Sequence, residues 1–171
     1  MYESDVIRLS DRDVKGLDSA LRAIGLRLSL VQRDTPIPGS FWGESEAGLL
    51  DDCLYARADT PLHSILHESG HYACMAPNRR AAVDTDAGGD DDEEVAVCYW
   101  QVLATDWLTA VTRHDMLADM DRWGYTFRLG SARAWFETDA EDARAWLTRA
   151  GLIDPVTGYL LKRLRRDFIR S

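Results

Sequence analysis

His67 and His71 stand four residues apart, with Glu68 next to the first of them. In a helix, residues four apart share a face, one turn above each other. Both imidazoles can then reach one metal ion, while the Glu68 carboxylate lies close by without being a ligand. This chemistry demands a helix, and the flanking residues favour one. Thr60 is suited to the N-cap and Pro61 to the first helical position. Leu62, Ile65 and Leu66 supply an apolar face beside the histidines, and Pro77 sets the stop. The spacing predicts a helix over residues 61–75.

A chain of 171 residues can form one domain with a real core and is short for two. Residues 1–171 are therefore read as a single metalloenzyme-like domain. Residues 1–13 are charged and contain no apolar stretch, so a signal peptide is not expected. No run approaches the roughly 18 apolar residues of a membrane span. Cys53, Cys74 and Cys98 are an odd, small set that fits free thiols in a reducing cytoplasm. The net charge of −9 argues against general nucleic-acid binding. The charge is uneven, however. Lys162, Arg163, Arg165, Arg166 and Arg170 face only Asp167 in the last 17 residues. This tail reads as a basic C-terminal helix over 155–170, opened by Pro155, with Tyr159, Leu160, Leu164 and Phe168 packed and the arginines solvated. A sharper alternative is docking to an acidic partner such as RNA or an acidic protein.

The remaining pattern predicts a helix-rich α+β fold with a small β-sheet near the His67 helix. Leu17, Leu21 and Ile24 suggest a first helix over 13–25. Residues 26–33 alternate as a strand, 34–48 read as a loop in which Phe41 and Trp42 form a short strand or line a cleft, and 49–57 read as a second strand. A strand just before the metal helix could hold an extended peptide at its edge. Residues 84–93 form an acidic loop that runs into a helix over 92–112, with Val95, Cys98, Val102, Leu103 and Leu108 on its buried face. A further helix covers 115–123. Thr138 and Glu141 form a capping box for another, ending at Ala150.

Two histidines make half of a catalytic site, which needs a third protein ligand and an open position. Glu94 is the first choice, on the next helix and 23 residues after His71. Glu93 is its nearest competitor, and Asp90 to Asp92 remain in reach. His63 extends the stripe, but at ~1.5 Å rise per residue it stands ~12 Å along the axis from His71, too far for one ion to span. It reads as a neighbour of the site. Cys74 and Cys98 can point at the seam between the two helices and read as packed thiols or alternative ligands. Asp84 or Asp106 can orient a metal-bound histidine. His114 reads as a helix-end residue. With zinc, a bound water is acidified to a pKa of about 7 and Glu68 serves as its base. Tyr72, Tyr99, Tyr125 and Arg128 have the chemistry to steady an oxyanion. An acidic rim favours a basic peptide or protein substrate.

The HExxH string with a later Glu94 resembles the site of gluzincin-type metallopeptidases. A second likeness runs through Leu66-His67-Glu68-Ser69-Gly70-His71-Tyr72, Cys74, Arg79-Arg80, Val83-Asp84, the acidic stretch, Glu94, Gln101 and Asp106-Trp107-Leu108. It is similar to the elongation factor P hydroxylase family and ends near Leu108. That resemblance implies a non-haem iron hydroxylase acting on a modified lysine, with Fe2+ held by His67, His71 and Glu94. Three expectations follow: a Zn2+ metallopeptidase-like hydrolase first, an iron hydroxylase second, and a non-catalytic metal-binding module third.

Overall fold

The computed structural model describes residues 5–40, 43–82 and 88–168, so Phe41, Trp42 and Asp84 lie outside the described residues. The elements in chain order are α1 (Leu17–Ala23), β1 (Arg27–Leu30), β2 (Gly48–Leu50), β3 (Cys53–Ala56), α2 (Leu62–Cys74), α3 (Pro77–Arg80), α4 (Asp91–Ala104), a 3-10 turn (Thr105–Trp107), α5 (Arg113–Trp123), α6 (Ala132–Thr138) and α7 (Glu141–Arg149). The fold is helix-rich α+β with a three-stranded sheet ordered β1-β3-β2. Among the described residues, no helix is long and apolar enough to cross a membrane.

Local chemistry explains where the elements depart from the expected ranges. The first helix starts at Leu17, not near residue 13, because Gly16 is left-handed at φ 91°. A side chain there would also collide with the Trp107 carbonyl, 2.5 Å from a Cβ. The strand expected over 49–57 is a hairpin. Asp51, at φ 51°, turns the chain, and β2 pairs antiparallel with β3 in the register Leu49 to Leu54. On its other side β3 pairs parallel with β1. The strand leading into α2 is therefore central, with no free edge for a peptide.

In α2 the first helical residue is Leu62 and Pro61 takes the cap position. Thr60 does not cap it, because its hydroxyl accepts the Arg57 amide and closes the preceding turn at 2.8 Å. The Leu62 amide bonds instead to the Ile7 carbonyl. At the other end, two arginines satisfy the orphan carbonyls. Arg80 donates to Tyr72 and Met75 carbonyls at 2.9 and 2.6 Å, and Arg165 donates to Cys74 at 3.2 Å.

Helix α4 opens on four carboxylates, with the Asp90 side chain accepting the Glu93 amide at 2.9 Å. It ends at Ala104, short of residue 112, because the 3-10 turn intervenes and Leu108 is extended. Val95 faces outward at 38% exposure and is not on the buried face. Thr138 belongs to the end of α6 and bonds the Ala134 carbonyl, so the expected capping box with Glu141 does not form. A real capping box, Thr112 with Asp115, starts α5.

The basic C-terminal helix over 155–170 is absent among the described residues. Asp154 accepts the Val156 and Thr157 amides, Gly158 is left-handed, and Ile153 bridges back to Leu160. The chain beyond is irregular and bonds to other elements: the Arg165 amide reaches the Ala73 carbonyl at 2.8 Å. Leu160 is buried as expected, but Tyr159 is 63% exposed and Arg165 turns inward.

One apolar core joins sheet and helices, with Trp100 fully buried at its centre. Helices α2 and α4 meet at Gly70, where an added Cβ would stand 3.0 Å from Val97 Cγ1 and 3.1 Å from Trp100 Cε3. Trp100 cannot recede, because Trp107 packs edge-on against it. Gly70→Ala gains about 1 kcal/mol of helix propensity and sets it against about 1–3 kcal/mol of overpacking. We expect a net loss of stability in denaturant titrations and a lower metal affinity, since the helices must separate.

Candidate metal centre

The α2–α4 contact brings His67, His71 and Glu94 together. His67 Nε2 lies 3.0 Å from Glu94 Oε1, His71 Nε2 lies 3.3 Å from Glu94 Oε2, and the two imidazole nitrogens are 3.1 Å apart. Donors about 2.0–2.1 Å from one zinc ion stand about 3.3 Å apart in a tetrahedral array and about 2.9 Å apart as neighbours in an octahedral one. The observed spacings fall in that span, with Glu94 offering a different oxygen to each imidazole.

Hydrogen bonding orients the first ring. His67 Nδ1 is 2.7 Å from Gln101 Oε1, while the Gln101 amide nitrogen lies 3.6 Å from the Met116 sulfur. A carbonyl oxygen only accepts, so Nδ1 carries the proton and Nε2 turns its lone pair toward His71 and Glu94. Lone pairs converging on a carboxylate repel unless a cation lies among them. Titration in the metal-free protein follows this logic. Burial alone lowers the His67 pKa, but Tyr125, Cys98 and Glu94 outweigh it and hold the imidazole well above its usual value. Burial raises Glu94, but its hydrogen bond to His67 and the charges of both histidines leave it below the usual carboxylate range. The centre draws in positive charge, and a metal ion entering it displaces a proton.

Among the described residues, Cys98 is the further donor beside these groups. Ligand atoms of His67, Glu94 and Cys98 all lie within 4.8 Å of one another. Cys98 is one turn after Glu94, and Gln101 is nearly one turn further on the same face of α4. Glu93, the alternative ligand, points away: its side chain is 4% exposed and accepts Arg79 Nη1 at 3.0 and 2.8 Å. Cys74 is wholly buried at the end of α2, where burial pushes its thiol well above the usual range. Asp106 does not orient a histidine; it pairs with Arg113 at the far end of α4. Asp91 and Asp92 are exposed, and Asp90 serves as the cap. All three cysteines are free and buried. His114 sits exposed in the first turn of α5.

A cavity of about 700 Å³ opens over the donors, lined by His67, Glu68 and Glu94. Its far wall is the end of α5, where Gly124 at φ 99° turns the chain so that Trp123 and Tyr125 both face it. The loop at Gly43, Glu44 and Glu46 forms the rim, partly as expected for the region before β2. Of the four residues considered for an oxyanion, Tyr125 alone lines this cavity. Tyr72 lies under the Arg80 guanidinium, Tyr99 stacks on Phe136, and Arg128 is paired with Asp139. Burial pushes the Tyr125 phenol up to about 12, so it remains a donor at neutral pH.

His63 forms part of the cavity wall. Its Nδ1 lies 3.1 Å from the Tyr125 hydroxyl and its ring packs on Trp123. Sequence reasoning missed the positions of Gln101 and Trp123. The seven-residue step from Glu94 to Gln101 carried the first; nothing local marks the second.

Comparisons with protein-family models, with curated proteins and with solved structures found no significant match to this chain.

Two outcomes are expected. Gln101→Leu frees the His67 ring and weakens Zn2+ binding by about 10–100-fold in chelator competition. Burial lowers the His63 pKa to about 3, against 6.5 in the unfolded chain. Between those values the unfolded chain binds a proton that the folded one excludes. Stability is therefore full above pH 6.5 and falls on acidification toward pH 3, by up to about 1.4 kcal/mol per pH unit from this group. Metal-free His63→Gln should lose this slope in denaturant titrations across that window.

Proposed function

We propose that the chain is a mononuclear metal-dependent hydrolase of amide bonds, with zinc held by His67, His71 and Glu94 and with Glu68 as general base. The observation that carries this reading is the convergence of three donors at 3.0–3.3 Å, two of which, His67 and Glu94, line a cavity that Glu68 also lines. Zinc held by that donor set would supply an acidified water and a Lewis acid for a carbonyl. Glu68 takes the proton from the water and hands it to the leaving amine. Tyr125 donates a hydrogen bond to the carbonyl oxygen as charge builds there, and His63 fixes the direction of its hydroxyl. Glu94 is 45% exposed on the side of the cavity, which leaves room for substrate beside the ligands.

Glu44, Glu46, Glu68 and Glu94 surround the cavity, and Arg122, its basic lining residue, is paired with the buried Asp119. That charge balance favours a basic peptide or protein segment over an acidic one. The free, buried thiols support a cytoplasmic setting.

A second reading is a non-haem iron hydroxylase. Two imidazoles and one carboxylate are equally the donor set of iron(II) oxygenases. The central position of β3 favours this reading, because it removes the strand edge on which an extended peptide would lie.

The test pairs metal analysis of anaerobically purified protein with Glu68→Gln. Zinc in the wild type, with amide hydrolysis that falls at least a thousandfold in the variant while metal content holds, is the expected result. Iron(II) with oxygen-dependent product that survives Glu68→Gln would replace hydrolysis with hydroxylation. Stoichiometric metal with no turnover on either substrate class would leave a binding module.

A further inference from the structure

The basic C-terminal segment has no part in the proposed chemistry, yet one of its arginines ends between the two helices that carry the ligands. We infer that Arg165, Glu93 and Arg79 form a clamp that sets the position of α4 against α2, making Arg165 and Glu93 positioning residues for the metal centre. The inference rests on His67, His71 and Glu94 being the ligands.

The geometry is specific. Glu93 directly precedes the ligand Glu94, and its carboxylate is 4% exposed. Arg79 Nη1 donates to both of its oxygens, and Arg79 Nη2 donates to the Gly88 carbonyl at 2.9 Å. Gly89 leaves the space the carboxylate occupies: a Cβ there would stand 2.5 Å from Glu93 Oε1. Arg165 Nη1 lies 3.6 Å from Glu93 Oε2 and 3.2 Å from the Cys74 carbonyl, and the Arg165 amide donates to Ala73 at 2.8 Å. Its guanidinium stacks on Phe168 at 4.0 Å and over Trp146 at 5.1 Å.

Ala73 and Cys74 close α2, two and three residues after the ligand His71. Glu93 sits in the first turn of α4. A single guanidinium therefore spans the end of one ligand-bearing helix and the start of the other. Rotating α4 to withdraw Glu94 would pull Glu93 off both arginines and leave buried charge unpaired. The clamp resists that motion. Buried ion pairs are weak evidence for net stability but are well suited to fixing register.

The experiment compares the full chain with Arg165→Met, Arg165→Lys, Glu93→Gln and, as a control on the ligand set, His67→Ala. Zn2+ affinity is read by chelator competition, Co2+ geometry by the visible spectrum, and folding by circular dichroism of the metal-free proteins at a temperature where each is folded. We expect Arg165→Met and Glu93→Gln to weaken Zn2+ at least tenfold and to change the intensity of the Co2+ bands. Arg165→Lys, which keeps the charge and the backbone bond, should recover part of both and covers the case in which Arg165→Met does not fold. Lower melting temperatures with unchanged affinity and spectrum would overturn the clamp, reducing it to ordinary stabilisation while the metal reading stands. Wild type that binds neither ion, or His67→Ala that binds both as well, would remove the ligand set and the clamp with it.

Discussion

Everything at the site depends on the close approach of α2 and α4 at Gly70. A glycine in mid-helix is unfavourable by itself, by about 1 kcal/mol relative to alanine. Here it lets Val97 and Trp100 pack against the α2 backbone. This approach brings a carboxylate on one helix within 3.0–3.3 Å of two imidazoles on the other. The donors already stand close together in the fold, so binding of an ion at the proposed centre would require little rearrangement. A centre of that kind would differ from small metal-nucleated domains, in which the ion supplies most of the folding free energy. Here the apolar core around Trp100 does that.

The wall opposite the donors comes from a distant part of the chain. Gly124 ends α5 in the left-handed conformation, and Tyr125 then folds back to within hydrogen-bond distance of His63. His63, Tyr125 and Trp123 form an aromatic layer over α2, with His63 buried and the other two half-buried. Its low polarity keeps His63 neutral and Tyr125 protonated. Charge at the cavity is thus concentrated in the ligands and in the rim carboxylates.

The legible parts of the chain were those governed by short-range geometry. A four-residue step between histidines, bounded by prolines, defines α2 to within a residue or two. Glu94 was reachable because an acidic run before an apolar run marks a helix start. Position within that run was decided by tertiary contacts: Arg79 and Arg165 claim Glu93 and leave Glu94 to the histidines. The tail was misjudged for a related reason. Residues 155–168 have an amphipathic spacing, but Asp154 and Gly158 form a turn first, and the amide of Arg165 finds a partner on α2. The hairpin at Asp51 was hidden because both of its strands are apolar and only two residues separate them.

Glu94 lies in the first turn of α4, at the positive end of its dipole, and Glu44, Glu46 and Glu68 line the same cavity. A field of one sign over a low-dielectric hollow gathers cations from solution and speeds their arrival, an advantage that fades as ionic strength rises. For the metal centre proposed here, that field would raise the rate at which a divalent ion is captured as well as the strength with which it is held.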